Sequence, residues 1–173
     1  MTDVAVTPIF RNPHGKLACC QVGQLFMMVN NEFSLSDAEC LAYLDNAARC
    51  VELNGPPIGA LLFSVFSGPT ASQRRLALTM ESRLQQRKTE RLVVLTDSAL
   101  ARMTVKGLAV VLRIRVHMRS MPPVRHQEAI AWLAERAKTD IATAGRRFSE
   151  MCAMADVARE RYQQDWRETM RDD

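Results

Sequence analysis

The residue types that most often do chemistry are thinly spread along this chain. His14, His117 and His126 lie far apart, and none stands at ligand-like spacing from a Cys, Asp or Glu. The five cysteines, Cys19, Cys20, Cys40, Cys50 and Cys152, are odd in number and lack the paired spacing of a zinc site or a redox motif, which predicts reduced thiols. Cys19 and Cys20 are neighbours in a strand-like run, so their side chains should leave on opposite faces and not grip one metal. The seven glycines are scattered and form neither a Walker nor a dinucleotide-binding pattern. Ser64, Ser67, Ser72 and Ser98 sit in no nucleophile-elbow context. The expectation is a protein that is not an enzyme and that holds no metal and no cofactor.

Charge is the more informative chemistry. The net charge of +4 hides a segregation: residues 1–69 carry three basic and six acidic side chains, residues 70–126 twelve and three, and residues 127–173 eight and ten. The middle third is therefore +9 between flanks of −3 and −2. Such a field favours an acidic partner and speeds its encounter. Arg74, Arg75, Arg102 and Lys106 are the candidates for contact with a partner or an anion. Nucleic acid is the weaker expectation, because residues 70–126 contain no Phe, Tyr or Trp on which bases could stack, and no helix-turn-helix or zinc-finger pattern is evident. The competing expectation is that these arginines pair with the acids of the C-terminal segment.

The elements that must carry these residues are legible from period and punctuation. KLACCQVGQLFMMVN, residues 16–30, reads as a hairpin turning at Gly23 and Gln24 through a type II′ turn. Ser36 and Glu39 form a capping box ahead of Leu41, Leu44, Ala48 and Val51 at helical spacing, and Asn54, Gly55 and Pro56 stop that helix. IGALLFSVF, Ile58 to Phe66, fits a parallel strand buried on both faces. Thr70 and Gln73 then cap a helix bearing Leu76, Ala77, Met80 and Leu84. RLVVLT, Arg91 to Thr96, repeats the buried-strand signal, and a helix with Leu100, Met103, Gly107 and Val110 inward follows. Ile114, Val116 and Met118 alternate with Arg115, His117 and Arg119, which predicts an edge strand. Pro122 and Pro123 end it, and a helix from near Arg125 should bury Ala129, Trp132 and Leu133. From about Lys138 one long helix is expected, its narrow stripe made of Ile141, Ala144, Phe148, Met151, Ala155, Ala158 and Tyr162. That stripe either docks on its own domain or forms a self-association seam through Ile141, Phe148, Met151 and Tyr162, giving a homodimer.

Strands alternating with helices imply an α/β fold with a mostly parallel central sheet, an antiparallel N-terminal hairpin, helices packed against the sheet and a long C-terminal helix. At 173 residues the chain can bury about two-thirds of its unfolded surface without disulfides. The opening MTDVAVTPIF lacks the basic start and apolar core of a signal peptide, and no apolar run approaches the ~20 residues of a bilayer span, so a cytoplasmic protein without membrane contact is expected.

The order hairpin, capped helix, buried strand, helix, buried strand, helix, edge strand, helix resembles the STAS fold of bacterial anti-sigma-factor antagonists and their STAS or Sec14-like relatives. The resemblance covers roughly residues 10–137, within a domain taken as 1–137 followed by a helical extension at 138–173. Its most specific pieces are LSDAECLAYL, SGPTASQRRLA, RLVVLTDSALARM and EAIAWL. It implies a non-enzymatic regulatory module that binds a protein partner, such as a regulatory kinase or an anti-sigma factor. It also implies a phospho-acceptor at the start of the helix after the central strand, where this chain offers Ser67, Thr70 and Ser72, with Arg74 and Arg75 as counter-charges. The chain departs from the family where FSVFSG replaces the acidic residue and DSSG-like turn, with Ser64 in the place of the Asp. There the plain expectation is that Thr70 or Ser72 caps the helix. The Sec14-like side of the resemblance implies, as an alternative, a small-molecule or lipid carrier lined by Met27, Met28, Met80 and Met103. A nonspecific nucleic-acid binder is the third reading. All of them require Ile58–Phe66 and Arg91–Thr96 to lie side by side inside the sheet.

Overall fold

The structure, a computed structural model, describes residues 5–31, 35–65, 69–85, 88–96, 98 and 116–162. Six strands form one mixed sheet in sequence order: β1 (Phe10–Arg11), β2 (Leu17–Val22), β3 (Leu25–Asn30), β4 (Gly59–Ser64), β5 (Arg91–Leu95) and β6 (His117–Met121). The first three are antiparallel and the last four run parallel. Val22 pairs with Leu25, which leaves Gly23 and Gln24 as a two-residue loop. Gly23 has φ 57° whereas Gln24 is not among the positive-φ residues, and positive φ at the first loop position alone is the type II′ pattern. Gly59 to Phe63 lie opposite Arg91 to Leu95, so the two apolar runs are adjacent strands, with β4 between β3 and β5. β1 carries no signal of its own in the sequence; two residues are too few to show a period.

The sheet separates two apolar layers by strict alternation. Ala18, Cys20, Val22, Met27, Val29, Leu61, Phe63, Val93 and Leu95 face α4 (His126–Ala134) and α5 (Ile141–Met154). Cys19, Phe26 and Met28 face α1 (Asp37–Asn54), α2 (Ala71–Thr79) and α3 (Glu81–Leu84). On the first face α5 covers β2 and β3 while α4 covers β4 and β5. β4 departs from the expectation of burial on both sides: Gly59, Leu61 and Phe63 are buried, but Ala60, Leu62 and Ser64 are only half-buried. Leu41 also departs from its predicted inward position and is 41% exposed, because α1 buries Leu44, Ala47, Ala48, Cys50 and Val51 instead.

Both predicted capping boxes form. Ser36 Oγ accepts from Glu39 N while Glu39 reaches back to Ser36 N, and Thr70 and Gln73 repeat the reciprocal pattern. The helix expected to run through Leu84 is divided at Met80 into α2 and α3. The helix expected between β5 and β6, with Leu100, Met103, Gly107 and Val110, lies outside the described residues.

The long C-terminal helix is corrected. α5 starts at an Asp140 cap that accepts from Thr143 N, and it ends at Met154. Asp156 then adopts φ 58°, Val157 N donates to Cys152 O and Asp156 N to Ala153 O. That pair of bonds is a Schellman termination with Asp where Gly is usual, which is why no glycine marked it. Asn31 Nδ2 donates to both Ala155 O and Asp156 O, and Lys16 Nζ lies 2.7 Å from Asp156 Oδ2. The hairpin thus fastens the helix end from more than a hundred residues away in sequence. A short 3₁₀ turn, Arg159–Arg161, follows.

Candidate binding surfaces

The helices after β3 and β4 run back along the sheet, so α1 and α2 both begin at the carboxyl end of the parallel strands. Their first turns are stitched together. Gln73, buried as a capping residue, also donates from Nε2 to Leu35 O at 2.6 Å, and Ser72 Oγ donates to Asp37 Oδ2 at 2.6 Å. Glu39 completes the rim: it accepts from Asn12 Nδ2 at 2.8 Å and lies 3.8 Å from His14 Nε2. The backbone amide of Ser36, with lesser help from the Ser36 hydroxyl, Asn12 and His14, holds the Glu39 carboxyl below the ordinary carboxylate range. Asn12 is buried and accepts from Lys16 N and Leu17 N, which ties the turn before β2 to the α1 cap.

Of the sequence-predicted site residues, Thr70, Ser72, Arg74 and Arg75 therefore gather on this rim. Thr70 Oγ1 is occupied as a cap and Ser72 Oγ as a donor to Asp37. Arg74 and Arg75 are exposed, bonded to Pro69 O and Ala71 O, and no ion pair to either is found among the described residues. The first turn of α2 carries no acidic residue, so its free amides and two guanidiniums present a positive surface. Ser67, Arg102 and Lys106 lie outside the described residues.

The residues proposed for self-association divide. Phe148 and Met151 are fully buried against β2 and β3, Tyr162 is buried beside His126, and only Ile141, 46% exposed, faces outward. The stripe's centre thus packs within its own fold. His126, which the sequence left as a dispersed histidine, is buried in a stack on Phe148, with ring centroids 4.9 Å apart, and burial pushes its pKa down. Cys19 and Cys20 do face opposite layers, and burial pushes the Cys20 and Cys152 thiols up to about 12. Among the described residues no three His, Cys, Asp or Glu side chains could hold a metal ion. Met27 belongs to the core, Met28 and Met80 pack on the other layer, and Met103 lies outside the described residues.

The arginines of the middle third find mixed partners. Arg83 bridges Asp45 and Glu52 of α1 at 3.1 Å each, while Arg91 pairs with Glu135 at 2.7 Å and Arg125 with Glu128. Only the latter two use acids from the segment after residue 126. Sequence reasoning missed a cluster at the far side of the sheet. Trp132, expected to be core, is half-buried, with the guanidinium carbons of Arg91 and Arg119 at 4.5 and 4.3 Å from its ring centroid. Arg91 also donates to Trp132 O. The only signal for this cluster was the lone aromatic residue beside an alternating basic strand.

No helix among the described residues is long and apolar enough to cross a membrane. Comparison with protein-family models, with curated proteins and with solved structures finds no match that would assign a family. The fold and its surfaces therefore define the class no further than a mixed-sheet α/β protein with a strongly basic middle third.

Proposed function

We propose that this chain is a non-enzymatic regulatory module of the STAS type, similar to anti-sigma-factor antagonists, which binds a protein partner through the rim where α1 and α2 begin. The observation that carries the reading is the double stitch at that rim: Gln73 to Leu35 O and Ser72 to Asp37. It holds two helix starts in fixed register beside a pair of exposed arginines. The hairpin followed by parallel strands in sequential order supports it as well.

The stitch also supplies a switch. Phosphorylation of Ser72 would remove the hydroxyl donor and set a dianion against the Asp37 carboxylate, while Arg74 and Arg75 would draw the phosphate toward α2. Repulsion on one side and attraction on the other would part the two helix starts. Thr70 is exposed but caps α2, so its modification would act through loss of that cap, at a cost of about 1 kcal/mol.

The test is complex formation with ATP-binding kinases of the anti-sigma type from the same genome, followed by calorimetry. One of them is expected to bind the chain, to phosphorylate it at Ser72, and to bind the Arg74→Glu/Arg75→Glu variant at least about tenfold more weakly. Failure of every such kinase to bind the wild-type chain, or equal binding by the charge-reversed variant, overturns the reading.

A further inference from the structure

The edge of the sheet formed by β6 carries a second surface, which owes nothing to the resemblance or to the rim. Among the described residues β6 pairs with β5 alone. His117 N donates to Glu90 O and Met121 O accepts from Thr96 N, so the odd-numbered residues direct their backbone groups to β5. By the alternation of a strand, Met118 and Ser120 turn their N–H and C=O groups to the outer edge. α4 lies mainly over β4 and β5 and reaches β6 through Trp132, which leaves a step: the strand is its floor, with His117 and Arg119 exposed, and Trp132 is its wall.

The charge on that step is arranged for an anion. Arg91 and Arg125 are neutralised by Glu135 and Glu128, whereas Arg119 has no carboxylate within ion-pair distance among the described residues. Its guanidinium rests on the Trp132 ring, so its donors are oriented before any ligand arrives and lose little freedom on binding. From Arg113 to Arg125 the sequence holds four arginines and no acid.

We propose that this step is the docking site of an extended acidic segment of another protein, which joins the sheet beside β6 and sets a carboxylate on Arg119. A second copy of the chain fits poorly, because antiparallel pairing centred on β6 would bring Arg119 against Arg119. Single-stranded nucleic acid fits less well than a peptide, since the one ring on the step already carries two guanidiniums within 4.5 Å of its centroid.

The probe is a fluorescent decapeptide of alternating Glu and Val, titrated against the full chain by anisotropy, with two controls: a peptide of equal charge interrupted by prolines, and oligo-dT. The Glu-Val peptide should bind, slow amide exchange at Met118 and Ser120, and bind the Arg119→Glu variant at least about tenfold more weakly. The proline peptide should lose a similar factor, because it cannot offer a continuous ladder. Arg119 is exposed, so its reversal should leave the melting temperature near that of the wild type, and Arg119→Gln serves if it does not. The Arg74→Glu/Arg75→Glu variant should bind the peptide like the wild type, which separates this surface from the rim. Equal binding by the Arg119 variants, equal binding of the proline peptide, or tighter Arg119-dependent binding of oligo-dT would each overturn the proposal.

Discussion

Cys19 and Cys20 are covalent neighbours that meet different helices, and their separation shows how far a single residue's surroundings follow from its strand parity. Burial is the first cause of the raised pKa at Cys19, Cys20 and Cys152, and Cys50 follows the same direction. Thiolate is the reactive form, so these four thiols should react with Ellman's reagent only as fast as the protein opens. Cys40 is the half-exposed one and should react first, slowed by burial and by Asp37 but not blocked. A count of fast thiols in native buffer above one contradicts the described packing. The parity of the two strand cysteines was readable from sequence. The roles of Asn12 and Asn31 were not, because an asparagine that reaches a distant group, as Asn12 reaches the Glu39 side chain and Asn31 the backbone of Ala155 and Asp156, looks the same in sequence as one in any turn.

At the scale of elements, periodicity located most of the described helices and strands, though not β1, and it misjudged where some of them stop and what they face. The stripe of α5 fits a coiled-coil seam as well as a docking face, since both need apolar residues three and four apart. The sheet resolves the ambiguity by filling that stripe with β2 and β3. Phe148→Ala should therefore lower stability by about 3–5 kcal/mol, read from a shifted urea midpoint, whereas Ile141→Ala should change it by less than about 1 kcal/mol. Should Phe148→Ala instead leave the midpoint unchanged and alter the mass in solution, the residue serves a seam and not the core. β4 shows a related ambiguity. A continuous apolar run signals burial on both faces, yet the extent of cover depends on where the helices settle, and α1 packs against β2.

For the whole molecule the titrating groups that shift most clearly in the acidic range act in one direction. His126 is held neutral by burial, so below the ordinary histidine value of about 6.5 the unfolded chain takes up a proton that the folded chain resists, and stability falls as pH falls. Glu39, Asp140 and Asp156 are held below their ordinary values by the Ser36 amide, Thr143 and Lys16 respectively, so they too favour the fold at neutral pH and lose that contribution on acidification. Urea midpoints should therefore decline in two stages, the first setting in as pH falls through about 6.5 and the second below about pH 4, and His126→Gln should remove the first stage. A midpoint that rises on going from neutral to mildly acidic pH would contradict the buried, neutral His126. The sequence by itself determined the layered α/β order, the hairpin at Gly23, both capping boxes and the basic middle third, because each rests on local spacing or on composition. Only the tertiary structure decided where the last helix ends, that Phe148 and Met151 are core, and that Arg119 meets Trp132. Those outcomes depend on groups brought together from distant parts of the chain, as Lys16 and Asn31 are at Asp156.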